Sequence, residues 1–91
     1  MEYKAGDTVY ESFVAFGSHG ASAHIQDVVV VLPEDNIVRP SHGTAREVLF
    51  GGTLHATMQE AREAAAARIR EHAQRLLKTA AELAEPRVVT V

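Results

Sequence analysis

The sequence predicts an α+β fold, with a three- to four-stranded, mainly antiparallel sheet packed by one long C-terminal helix. Two distributions and one local signal lead there. All eleven valines lie outside residues 57–85, while nine of the fifteen alanines lie inside. Valine's branched Cβ suits a pleated sheet and loses rotamer freedom in a helix, whereas alanine has no such freedom to lose. The local signal is Thr57-Met58-Gln59-Glu60, a capping box in which the Thr57 hydroxyl and the Glu60 carboxylate can each satisfy a free backbone N–H of a first helical turn. A chain of 91 residues has material for one core, so residues 1–91 are read as a single domain, with sheet over 7–52, helix over 57–85, and a C-terminal tail or edge strand over 86–91.

The elements follow in order. Thr8–Phe16 is a strand, Gly17–Ser22 a loop and Ala23–Leu32 a second strand. Pro33-Glu34-Asp35-Asn36 is a tight turn, since proline presets φ and Asp or Asn tolerates the bent positions. Ile37-Val38-Arg39 is a third strand, Pro40-Ser41-His42-Gly43 breaks the chain, and Arg46–Phe50 is a fourth strand that ends at Gly51-Gly52. From Thr57 no Gly or Pro interrupts before Pro86, which gives a helix of roughly 42 Å at 1.5 Å per residue. At 100° per residue Met58, Ala61, Ala65, Ile69, His72, Leu76, Ala80 and Leu83 share a stripe, with Ala73 and Leu77 at its edge. The expected core takes Met58, Ile69, Leu76 and Leu83 from the helix, and Phe13, Ile25, several of Val28–Leu32, Val48 and Phe50 from the sheet.

Composition narrows the chemistry. Apolar residues make up 46% and charged residues 23%, the balance of a folded globular chain. The absence of cysteine removes disulfides, thiolate metal sites and cysteine nucleophiles. No apolar run approaches eighteen residues and Met1-Glu2-Tyr3-Lys4 lacks the layout of a signal peptide, so a cytoplasmic protein that does not enter membranes is expected.

No motif names an activity. His19 and His24 are the closest histidine pair, but their spacing in a Gly- and Ser-rich stretch matches no ligand motif, so no metal and no cofactor is expected. Ser18 or Ser41 with a histidine and Asp27 makes a triad only on paper, because the Gly-x-Ser-x-Gly elbow is missing. Gly51-Gly52 lies some five residues before the helix and lacks the spacing of a phosphate cradle. The chain is accordingly read as a non-enzyme, with any small-molecule ligand undetermined. Five Arg or Lys balance five Glu in the helix, and the segment before it carries a net charge of −4, a poor match to phosphate.

Residues 50–65, from Phe50-Gly51-Gly52-Thr53-Leu54-His55 through Thr57-Met58-Gln59-Glu60-Ala61 into the alanine-rich helix, resemble the strand-to-helix junction of small uncharacterised bacterial β-β-β-α domains, with His55 in place of the usual aromatic. Some such domains resemble arm-type DNA-binding modules. The resemblance carries no functional residue onto this chain but keeps open the alternative of a nucleic-acid-associated regulator, for which an oligomer would present Arg39, Arg46, Arg68 and Arg75 together.

The leading expectation is self-association as a homodimer. Val28-Val29-Val30-Val31-Leu32 is apolar on both faces, and one helix covers only one of them. The helix also outruns a strand of eight residues, about 27 Å, leaving its last turns without sheet beneath them. Leu76, Leu77, Leu83, Val29 and Val31 are the expected interface residues, and the tail Val88–Val91 a further edge strand.

Overall fold

Gly17 and Gly20 pair directly across a two-residue turn, so the first two strands form one long hairpin, β1 (Thr8–Gly17) and β2 (Gly20–Leu32). The expected six-residue loop is mostly strand, because Gly20 adopts φ +118, a conformation open to glycine and strained for other residues, and the chain reverses at Ser18-His19 alone. Pro33–Asp35 forms a 3-10 turn closed by Asn36 at φ 55, followed by β3 (Ile37–Pro40), β4 (Arg46–Glu47), β5 (Thr53–His55) and α1 (Met58–Ala84). The order across the antiparallel sheet is β4-β3-β2-β1-β5. The computed structural model describes residues 2–85, and the tail expectation lies outside the described residues.

Five strands stand where three or four were expected. The strand read over Arg46–Phe50 is only two residues long, and the chain then makes a turn in which the Gly52 N–H donates to the Leu49 carbonyl at 2.7 Å. Gly51 takes φ +81 at its third position, the mark of a type II turn. Phe50 occupies the exposed corner and is fully solvent-accessible, so it contributes nothing to the core. The chain re-enters the sheet at Thr53–His55, beside β1.

The two faces of the sheet are covered by different parts of the chain. Val9, Val28, Val30 and Val38 are buried on one face, packed by Tyr3, Val48 and Leu54. The residues alternating with them face α1, where Ser12 and Val14 are buried with Ala61 and Ala65. The Ser12 hydroxyl donates to the Ala61 carbonyl at 2.9 Å, a contact that only small residues on both sides permit. Alanines thus form the helix's share of the core. Met58 is 43% exposed, and Leu76 and Leu83 are exposed beyond the sheet rather than packed into the core, while Leu32 at the end of β2 is also exposed. The stripe was correct in direction but not in which of its members meet the sheet.

Thr57 is the N-cap, its Oγ1 accepting from the Glu60 N–H at 3.1 Å. Thr57→Ala is expected to cost about 1 kcal/mol in urea unfolding, with an unchanged slope because the same surface is exposed.

Candidate association surface

The helix leaves the domain where the hairpin ends. Its first turns cross β1, and its last packing contact is His72 against Phe16 near the hairpin tip, with ring centroids 4.1 Å apart. Every residue from 73 to 85 is exposed. The projecting part of α1 is therefore about 18 Å long. It makes the molecule rod-like, with extents of 62 × 25 × 23 Å.

This projection is not polar. Leu76, Leu77 and Leu83 are 58%, 70% and 80% exposed, which is unusual for three leucines within eight positions. Leu76 and Leu83 belong to a strict seven-residue repeat of alanine and a larger aliphatic three positions later, Ala66 with Ile69, Ala73 with Leu76 and Ala80 with Leu83, and Leu77 lies beside it. The first pair starts over the sheet and the next two run clear of it. A hydrophobic period of seven is the pattern of a helix that seats another helix. Reading the stripe at 100° per residue blurred this repeat, because Ala73 fell at its edge.

Val29 and Val31 are elsewhere. Val29 pairs with Thr8, eight residues along β1 from Phe16, so it lies about 26 Å from the hairpin tip, and Val31 sits at the irregularity where β2 meets β3. Both are half-buried. The expected interface residues thus fall into two patches at opposite ends of the hairpin. The cover needed by the other face of the valine strand also comes from within the chain, through Tyr3, Val48 and Leu54.

The candidate chemical groups do not converge. The Ser41 hydroxyl donates to Asp27 at 2.7 Å, and that bond is the main reason the Asp27 carboxyl is held below its ordinary range. Ser18 and His19 form the exposed hairpin turn, and His24 lies on β2 opposite Phe13 with ring centroids 6.2 Å apart. Among the described residues no cluster of His, Asp or Glu is placed to hold a metal ion, and no helix is long and apolar enough to cross a membrane. An open groove is lined by residues that include Tyr3, Glu34, Asp35, Glu47, Val48 and Leu54.

One polar group is deeply buried. Glu11 is 1% exposed, yet each of its oxygens is satisfied: Oε1 accepts from Arg46 at 2.7 Å and from Gln26 at 3.1 Å, and Oε2 accepts from Arg46 and from the Leu49 N–H at 3.0 Å each. Burial pushes its carboxyl up, but the bonds from Arg46, Leu49 and Gln26 and the charge of Arg46 together hold it below its usual value. This pair anchors the segment 46–49 over the valine face, and its full coordination leaves it no lone pair for catalysis. Arg68 donates to the Gly51 carbonyl and Arg75 pairs with Glu71 at 3.3 Å, so three of the four arginines named for nucleic acid are engaged within the chain.

Comparison with known proteins finds no match among family models, curated proteins or solved structures. The geometry of the projecting helix is what remains to be explained.

Proposed function

We propose that this chain is a small, non-enzymatic, self-associating module that works as a homodimer through residues 73–84 of α1. One observation carries the reading: two leucines of a heptad seam, Leu76 and Leu83, and Leu77 beside it stand in water on a helix that has already left its own domain. Burying a leucine side chain is worth about 1.5–3 kcal/mol, and leaving several exposed on a long projection invites uncontrolled association. A second copy is the occupant this surface fits best. Residues 73–84 carry Arg75 and Lys78 against Glu82, a net of only +1, so two copies bring little net charge together, and an isologous contact uses the one patch twice.

Light scattering at tens of micromolar is expected to return about twice the 9.9 kDa chain mass. A mass near 9.9 kDa at that concentration withdraws the proposal.

A further inference from the structure

We propose that the two projecting helices pair antiparallel, about a two-fold axis level with residue 78, so that each alanine of one seam meets a leucine of the other. This orientation deepens the homodimer reading and rests on it. Three independent features select it.

The first is the seam itself. With the axis at residue 78, Ala73 lies opposite Leu83 of the partner subunit and Leu76 opposite Ala80 of the partner subunit, and the same two layers recur by symmetry. Each leucine then enters a space that an alanine leaves open, so layer volumes match along the whole contact. A parallel pair aligned in register sets Ala73 against its own copy and Leu76 against its own copy, alternating voids with crowded layers. The antiparallel register also brings Leu77 close to its own copy beside the axis, which accounts for the one exposed leucine outside the repeat.

The second feature is length. In this register the seam contact runs from residue 73 to residue 83, with Ala84 at the end of α1 coming level with His72, and residue 73 is where continuous exposure begins, one position beyond the His72 contact with Phe16. A longer overlap drives the partner's helix end into the hairpin tip, and a shorter one leaves Leu83 in water.

The third is charge. Within the overlap the helix carries Arg75 before the axis, Lys78 at it and Glu82 beyond it. Antiparallel pairing brings Glu82 to within about one residue of the level of Arg75 of the partner subunit, and the two macrodipoles oppose. An in-register parallel pair instead sets Arg75 and Glu82 each beside its own copy.

The chain has no cysteine, so engineered ones report without background. Ala73→Cys and Leu83→Cys are substitutions at exposed positions that leave the core untouched. In the antiparallel dimer the two copies of residue 73 are about 15 Å apart along the axis, beyond the reach of a disulfide. Mild oxidation of either variant alone is therefore expected to give little linked dimer, while an equal mixture gives many-fold more; Leu77→Cys links to its own copy. Efficient linking of Ala73→Cys alone overturns the proposal in favour of a parallel pair. A dimeric mass without linking in any arm places the contact away from this seam and equally overturns it. A monomeric mass for the unmodified protein instead defeats the underlying homodimer reading, so the two failures are distinguishable.

Discussion

Arg46→Ala is expected to destabilise the domain by about 3 kcal/mol, the largest loss foreseen for a single polar side chain here. The cause is the charge left behind. Glu11 stays 1% exposed under the segment that Arg46 helps to hold, and it loses two of its four hydrogen bonds at once, at 2.7 and 3.0 Å. The loss stands at the low end for a broken buried pair because the Arg46 side chain is itself 29% exposed, so water can enter where the guanidinium was. Arg46→Lys recovers only part, since an ammonium cannot reproduce the two-pronged contact to both carboxylate oxygens. The pH dependence supplies a second readout. A carboxyl held below its ordinary 4.5 adds stability at pH values above that figure, and the contribution is lost as pH falls through the lower folded value. Urea titrations from pH 7 downward are therefore expected to show a gap between wild type and Arg46→Ala that is widest near neutral pH and narrows as pH falls, first as the unpaired Glu11 of the variant, pushed up by burial, takes a proton and then as wild type passes its lowered folded value. A gap independent of pH would mean that the pair contributes packing alone.

Glu11 also marks the limit of what the sequence reveals. Its place between Val9 and Phe13 on the same face of β1 signals a charge among apolar neighbours, which demands a partner, yet nothing local says that the partner is 35 positions away on a two-residue strand. The helix is legible because its determinants are local: Thr57 caps it and no Gly or Pro interrupts it. The hairpin is legible in its strands but not at its turn, where a cluster of Gly and Ser reads as a loop although Gly20 alone supplies the one unusual dihedral. Thr53–His55 carries too few residues to show a period, and Phe50 looked like core because apolar character does not distinguish a strand end from the corner of a type II turn. A helix of about 42 Å against strands of about 27 Å implies an overhang that leaves Leu76, Leu77, Ala80 and Leu83 without sheet beneath them. The strands are longer than that, 10 and 13 residues, and the overhang arises instead because α1 starts over the middle of β1, with Ala61 on Ser12, and passes the hairpin tip at His72.

Leu76→Glu combined with Leu83→Glu is expected to reduce the light-scattering mass from about twice 9.9 kDa to a single chain, with the sheet intact. Each helix then brings two carboxylates to the seam, and a symmetric contact brings four, with no cation opposite them at those layers. Desolvating unpaired charge costs several kcal/mol, more than a contact of this length can offset. The domain itself should hold, because Ser12, Ala61 and Ala65 pack upstream of both changes and Leu76 and Leu83 are exposed rather than part of the core. A matched control separates seam from charge. Gln74→Glu with Ala81→Glu has the same seven-residue spacing on the outward side of the helix, and it should remain dimeric. Dissociation should also show in the helix. Residues 58–72 are held by the sheet, whereas 73–84 are then held only by propensity, and a projection of about three turns with no packing is marginal in water. Circular dichroism at 222 nm is expected to fall in the double variant, and amide protons over 73–84 to exchange fast while those over 61–69 stay protected. Should the double variant keep the dimeric mass, the contact shifts to the other exposed end of the molecule, around Val29 and Val31.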